Sequence, residues 1–166
     1  MSNNVTKLRK LAVCGLMAAF VFVATQIRIP TAIGYINLGD AVILISSFIL
    51  GPIALFPAAI GSALSDLIAG YAQYIIPTFI IKGLMGYVAG AALSKVKVTV
   101  PKKILIGVIT EVIMIAGYFV FEALPFMYGV EAAAGSLFFN AIQGIAAVVI
   151  FIPVTSIPAI KKNSVI

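Results

Sequence analysis

Residues 41–65 read AVILISSFILGPIALFPAAIGSALS, a run of 25 residues without a charged side chain that is interrupted at its centre by Gly51-Pro52. Its length is enough for one crossing of a bilayer, which takes about 20 residues. Glycine after one helix, followed by proline at the start of the next, is also a usual boundary between two helices. The run is therefore either one long span or two shorter ones, and this choice fixes how often the chain crosses the membrane.

The composition places the whole chain in a membrane. Of its 166 residues, 63% are apolar and 10% are charged, whereas soluble domains average about 45–50% and about 25%. The mean hydropathy is +1.20. At roughly 20 residues per span, this length allows at most about six helices. We therefore expect a single all-α membrane domain over residues 1–166, with no separate soluble domain.

The distribution of basic residues distinguishes one long span over residues 41–65 from two shorter ones, since positive charge is enriched in cytoplasmic loops. With a cytoplasmic N-terminus, five spans place the four lysines of segment 95–103 outside, whereas six spans place them inside. Six spans make nine of the eleven basic residues cytoplasmic: Lys7, Arg9, Lys10, Lys95, Lys97, Lys102, Lys103, Lys161 and Lys162. We therefore predict six transmembrane helices with both termini in the cytoplasm, at about 7–28, 38–50, 52–71, 75–95, 103–124 and 134–158.

The residue inventory excludes several kinds of function. The chain has no histidine and one cysteine, Cys14, so His-ligated metal sites, Ser-His-Asp triads and intrachain disulfides lack a component. It has no glycine-rich phosphate loop, so any ATP must be hydrolysed by another subunit. The basic N-terminus resembles a signal peptide, but the further apolar runs favour an uncleaved first span. We expect no enzymatic activity, no cofactor or metal, no nucleic-acid partner, and a multi-pass protein among the lipids of a bacterial plasma membrane.

Charged side chains inside the predicted spans are candidates for a functional site, because they are costly there. A rise of 1.5 Å per residue puts Asp66 and Lys82 at nearly the same depth. This predicts a structural ion pair between them, although Glu111 competes for the same lysine. Glu111, Tyr118 and Glu122 share one face of the fifth helix, so that face contacts protein or a cavity rather than lipid.

The sixth helix and the loop at 29–37 add further polar groups near the same depth. Asn140 and Gln143 share one helix face, where they form either interhelical hydrogen bonds or part of a binding site. The second span, about 13 residues or roughly 20 Å long, is short for a membrane, so it is tilted or the loop dips inward. This convergence predicts a pocket for a small, flat, polar molecule. Its predicted contacts are Tyr35, Asn37, Lys82, Glu111, Tyr118, Asn140 and Gln143.

Small residues spaced four apart occur on several spans and allow helices to approach closely. They include Gly15-x-x-x-Ala19 on the first span and Gly86-x-x-x-Gly90 on the fourth. Each pair serves either internal packing or, for the first helix, contact with a partner protein.

Several of these motifs together resemble a known family. They are Ile36-Asn-Leu-Gly-Asp40, Gly51-Pro52, Gly61 to Asp66, and Pro77-Thr-Phe-Ile-Ile-Lys-Gly-Leu-Met-Gly86. The set is similar to the substrate-binding S component of energy-coupling-factor (ECF) vitamin transporters, in the branch with riboflavin and hydroxymethylpyrimidine or pyridoxine-type members. The resemblance covers residues 7–158.

The resemblance implies a structure, partners and a function. It implies six helices with cytoplasmic termini and an outward pocket from helices four to six, covered by the first loop. It implies a transmembrane coupling subunit, contacted through an Ala-x-x-x-Ala motif that appears here as Gly15-x-x-x-Ala19, and two cytoplasmic ATPase subunits. The expected function is high-affinity vitamin binding for an ABC-type importer, with hydroxymethylpyrimidine or pyridoxine as the expected ligand and riboflavin as the alternative. Thiamine is disfavoured, since the thiamine-type pocket uses a histidine.

A competing interpretation is a self-sufficient membrane protein, either a small secondary transporter or a homo-oligomeric channel. Acidic residues and a lysine within the membrane suit a proton relay. Secondary transporters often contain inverted repeats, and no internal repeat is visible in this sequence.

Overall fold

The computed structural model describes residues 2–95 and 98–160. Its elements in chain order are α1 (Ser2–Gln26), β1 (Arg28–Pro30), β2 (Tyr35–Asn37), α2 (Gly39–Leu50), α3 (Leu55–Ala69), α4 (Ile75–Lys95), α5 (Val100–Glu122) and α6 (Gly129–Val154). Five helical segments of this part of the chain are long and apolar enough to cross a membrane: Thr6–Gln26, Gly39–Ala69, Ala72–Lys95, Val100–Glu122 and Gly129–Val154. The prediction of a helical membrane protein is therefore confirmed.

The helix break predicted at Gly51-Pro52 is present. A 3-10 turn, Gly51–Ala54, separates α2 from α3, so the 31-residue apolar segment Gly39–Ala69 contains two helices. Gly51 has φ 60°, in a region that residues with a Cβ rarely adopt. Pro52 then fixes the backbone at the start of the turn and removes an N–H that a continuous helix would need.

Residues 28–37 form a β-hairpin rather than the plain loop expected from the sequence. Strands β1 and β2 are antiparallel, with Arg28 opposite Asn37 and Pro30 opposite Tyr35. The turn is closed by the amide of Thr31, which donates to the carbonyl of Gly34 (2.8 Å). Two strands of three residues each are too short to give a periodic signal in the sequence. The hairpin forms a defined cover over one end of the helical bundle, called here the hairpin end.

Glycines allow α4 to approach the turn between α2 and α3. A Cβ added at Gly86 would lie 2.6 Å from the carbonyl oxygen of Ala54, and one added at Gly90 would overlap the backbone of Gly51. The pair Gly86-x-x-x-Gly90 therefore serves internal packing. Next to it, the main apolar core fills the space between α2, α4, α5 and α6 around the fully buried Leu93 and Phe151.

We expect Gly90→Ala to destabilise the protein, although this change usually stabilises a helix. The added methyl group has no space, and such overpacking costs about 1–3 kcal/mol. Gly135→Ala on α6 is the matched control, because a Cβ there meets nothing within 4 Å. Thermal unfolding in detergent should show a lower midpoint for Gly90→Ala only. A midpoint at or above the wild-type value for Gly90→Ala contradicts the close packing.

At the opposite end of the bundle, one lysine of the basic segment 95–103 is buried. Lys103 lies within α5 and is 5% exposed. Its Nζ donates to the carbonyl of Thr155 (3.0 Å) at the end of α6, where a positive charge is favourable. Of the other lysines predicted to be cytoplasmic, Lys97, Lys161 and Lys162 lie outside the described residues.

Candidate ligand-binding cavity beneath the hairpin

A cavity lies between the hairpin and the hairpin ends of the helices. The cavity has a volume of about 50 Å³, which is room for roughly three to five waters. Polar side chains contribute much of the lining, and each of α3, α4, α5, α6 and β2 supplies some. They include Tyr35, Asn37, Ser62, Asp66, Thr78, Lys82, Tyr118, Glu122, Ser136, Asn140 and Gln143.

The ion pair beside the cavity joins Lys82 to Asp40. Lys82 Nζ lies 2.5 Å from Asp40 Oδ1, and both side chains are almost completely buried. This corrects the predicted Asp66–Lys82 pair, because depth along a helix fixes the height of a side chain but not the direction in which it points. Asp40, at the start of α2, is the counter-ion of Lys82.

Gln143 connects this ion pair to the hairpin. Its Nε2 donates to Asp40 Oδ2 (2.5 Å), and its Oε1 accepts from the backbone amide of Asn37 (2.7 Å) and from Asn37 Nδ2 (3.2 Å). The chain Lys82–Asp40–Gln143–Asn37 therefore joins α4, α2, α6 and β2. Both carboxylate oxygens of Asp40 have a partner, which is the condition for a buried ion pair to be tolerated.

A second contact holds the other side of the hairpin. Tyr35 Oη donates to Asp66 Oδ1 (2.5 Å) on α3, and Arg28 lies over the Tyr35 ring, 5.2 Å from its centroid. Burial, and then the neighbouring Asp66 carboxylate, raise the pKa of the Tyr35 phenol well above its usual value, so the phenol stays protonated and donates. The hairpin is thus fixed to α3 through Tyr35 and to α6 through Asn37.

Aromatic rings and one further carboxylate form the outermost wall. Tyr74 lies among other rings, with its centroid 6.2 Å from that of Tyr118 and 6.5 Å from that of Tyr128. Its hydroxyl donates to Glu122 Oε1 (3.0 Å), and Ser136 Oγ donates to Glu122 Oε2 (2.5 Å). Glu122 is therefore a buried, fully paired group of the cavity and not a headgroup contact.

Six of the seven predicted contacts line this cavity, and Glu111 does not. Glu111 lies on the predicted face of α5, but its position further along the helix places it outside the lining. It borders an apolar cleft between α5 and α6 with Ile115 and Ile145. It is 4% exposed, and neither carboxylate oxygen has a hydrogen-bond partner among the described residues.

Several lining residues were not among the predicted contacts. They include Tyr74, Thr78 and Ser136, and also Asp66, which was predicted only as a structural partner of Lys82. Thr78 and Ser136 carry no distinctive sequence signal, because single hydroxyl groups on apolar helices are common and serve many roles.

Comparison with known proteins identifies the family. The family model for "ECF-type riboflavin transporter, S component" matches residues 5–162. A relative from Pyrococcus woesei, described as "Uncharacterized protein in gap 3'region", is 30% identical over 126 residues, which cover 75% of this chain and 82% of the relative. The match extends over every helix described above, so the chain belongs to the family of ECF-type riboflavin transporter S components, which are membrane-embedded, substrate-binding subunits of transporters and not enzymes.

Proposed function

We propose that this chain is the high-affinity substrate-binding subunit of an ECF-type importer and that its ligand is riboflavin, held in the cavity beneath the hairpin. The observation that carries the proposal is the polar and aromatic cavity beneath the hairpin in a chain of this family. The family description favours riboflavin over the hydroxymethylpyrimidine or pyridoxine that we expected from the sequence.

The lining suits a flat ring with hydrogen-bonding groups. Tyr71, Tyr74 and Tyr118 offer aromatic faces for stacking, and the amides of Asn140 and Gln143 both donate and accept hydrogen bonds. The hairpin lies over the cavity, so we expect it to move outward when riboflavin enters. The Tyr35–Asp66 and Asn37–Gln143 contacts are those that must open.

The ligand is tested on protein purified without added vitamins. Mass spectrometry of the released small molecules should detect riboflavin, and calorimetry should give tighter binding for riboflavin than for hydroxymethylpyrimidine or pyridoxine. Preferential binding of one of the two smaller rings contradicts the ligand but keeps the subunit's role. Folded protein that binds none of the three contradicts the proposed function.

The six-helix topology is the second part of the proposal, and it predicts a labelling pattern. In a Cys14→Ala background, we expect Ala32→Cys in the exposed hairpin turn to react with an impermeant maleimide on intact cells. Lys102→Cys, also exposed, should react only after permeabilisation. Five spans instead place both positions outside, so labelling of Lys102→Cys on intact cells contradicts six crossings.

The partners in this proposal are a transmembrane coupling subunit and two cytoplasmic ATPase subunits. Gly15 and Ala19 are both exposed on α1, and a Cβ at Gly15 meets nothing within 4 Å. At Gly86 and Gly90, by contrast, other residues of the chain occupy the space that a Cβ would need. The exposed small residues leave a face on which another helix can approach closely.

We expect Gly15→Leu/Ala19→Leu to weaken co-purification with the coupling subunit and to leave riboflavin affinity unchanged, because the added volume prevents close helix approach. Ala116→Leu, on the exposed face of α5, is the control for added bulk towards lipid. Undiminished assembly of the double variant contradicts this interface. Uptake of riboflavin into liposomes by the chain alone would instead support the self-sufficient transporter.

A further inference from the structure

Helix α3 presents two unpaired polar atoms to the cavity. Ser62 is 2% exposed and Asp66 is 5% exposed, and both line the cavity. Ser62 Oγ and Asp66 Oδ2 have no hydrogen-bond partner among the described residues. Because buried polar atoms are nearly always paired, two such atoms on one wall of a cavity are available to hydrogen-bond a molecule that enters it.

The neighbouring side chains are already engaged elsewhere. Tyr35 donates to the other oxygen of Asp66, and Lys82 is paired with Asp40. The hydroxyl of Thr78, which lies beside Asp66, is hydrogen-bonded to Tyr118 Oη (2.9 Å). Of these groups, Tyr35 and Lys82 would each have to give up an existing contact to satisfy Asp66 Oδ2.

The spacing of the two atoms indicates the kind of group that fits. Ser62 and Asp66 are four residues apart, so they lie on the same helix face about 6 Å apart along the axis. A carboxylate oxygen only accepts, whereas a serine hydroxyl both donates and accepts. A chain carrying several hydroxyl groups matches this pair, since it supplies a donor at each level. A single ring N–H can reach only one of them.

We propose that Ser62 and Asp66 make α3 a ligand-binding wall, which hydrogen-bonds the hydroxyl-bearing chain of the ligand. The inference rests on the proposed function, in which riboflavin provides that chain as its ribityl group. It adds a helix to the pocket that the family resemblance assigns to helices four to six and the first loop. It also means that Asp66 contacts the ligand through Oδ2 while Oδ1 holds the hairpin.

The test compares riboflavin with lumiflavin, which has the same ring and a methyl group in place of the ribityl chain. Calorimetry on wild-type protein gives the affinity ratio of the two ligands, which measures what the hydroxyl chain contributes. We expect Asp66→Asn to lower riboflavin affinity about 10- to 100-fold, because hydrogen bonds to a charged group are strong. Ser62→Ala should lower it by a smaller factor, about 3- to 10-fold. Lumiflavin affinity should change little in both, so the ratio falls.

Two controls separate ligand contact from general damage. Ser46→Ala removes another buried, unpaired serine hydroxyl, but Ser46 does not line the cavity, so both affinities should be unchanged. Tyr35→Phe removes the hairpin contact of Asp66 and should lower both affinities equally, which leaves the ratio as in wild type.

The outcomes distinguish this inference from the proposed function. If wild-type protein prefers riboflavin and Asp66→Asn and Ser62→Ala keep the wild-type ratio, the α3 wall is wrong and the proposed function stands. If Tyr35→Phe lowers the ratio as much as Asp66→Asn does, Asp66 acts through the hairpin and the inference also fails. Wild-type protein that is folded and binds neither flavin overturns both.

Discussion

Asp40→Asn is expected to lower the free energy of unfolding by about 3–5 kcal/mol, because it leaves the charge of Lys82 buried without a counter-ion. Lys82 is 4% exposed, and Asp40 is its only ion-pair partner among the described residues. The substitution keeps the size of the side chain, so the loss reports on charge rather than on packing. Chemical unfolding of the purified protein in detergent measures the difference.

The double variant Asp40→Asn/Lys82→Met provides the control. Removing both members of a buried ion pair costs much less than removing one, so this variant should recover most of the lost stability. Glu111 is one alternative acceptor, since its carboxylate interacts electrostatically with Lys82. Asp40→Asn/Glu111→Gln should therefore be less stable than Asp40→Asn alone. A double variant with Lys82→Met that is no more stable than Asp40→Asn contradicts the buried-charge explanation.

The helices were predictable from sequence because their signals are local. Long apolar runs specify the spans, and Gly51-Pro52 stops a helix whatever surrounds it, since a positive φ and a missing N–H act within the turn itself. The hairpin was missed because strands of three residues carry no period. Their stability comes from contacts with α3 and α6, through Tyr35 and Asn37, and such contacts cannot be inferred from the residues of the strands.

The side chains that line the cavity were easier to predict from sequence than their hydrogen-bond and ion-pair partners. Helical spacing correctly grouped Asn140 with Gln143 and Tyr118 with Glu122, because residues on one helix face stay together in any packing. The partner of Lys82 depends instead on how α2, α3 and α4 are arranged around it. Depth along the helices favours Asp66, and only the three-dimensional arrangement selects Asp40.

Glu111 also shows that helical spacing does not determine which cavity a side chain lines. Its direction on α5 was inferred correctly from its spacing to Tyr118, but a shared face does not imply a shared cavity when two side chains are seven residues, or about 10 Å, apart. If Glu111 were the ligand contact predicted from the sequence, Glu111→Leu would weaken ligand binding. The structure places Glu111 in the apolar cleft between α5 and α6, so we now expect near-wild-type affinity for this variant.

Gln143→Leu is expected to have the largest effect on ligand affinity, because Gln143 satisfies three groups at once. Its removal leaves Asp40 Oδ2, the backbone amide of Asn37 and Asn37 Nδ2 without their partner. One unmatched buried group costs about 1–3 kcal/mol, or about 5- to 150-fold in affinity. The hairpin also loses its attachment to α6, so we expect the loss to lie mainly in faster riboflavin dissociation.

Three variants measured together make this prediction specific. Asn140→Leu should weaken riboflavin binding to a smaller extent than Gln143→Leu, since Asn140 lines the cavity but has no part in the chain that leads to the hairpin. Glu111→Leu is the matched control, a polar-to-leucine change at a buried position of the neighbouring helix that leaves the cavity lining intact. Calorimetry gives the affinities, and stopped-flow fluorescence of the flavin gives the dissociation rates. Equal affinities for Gln143→Leu and Glu111→Leu would contradict the cavity as the binding site. A weaker affinity for Gln143→Leu with an unchanged dissociation rate would contradict the role of Gln143 in holding the hairpin closed over the ligand.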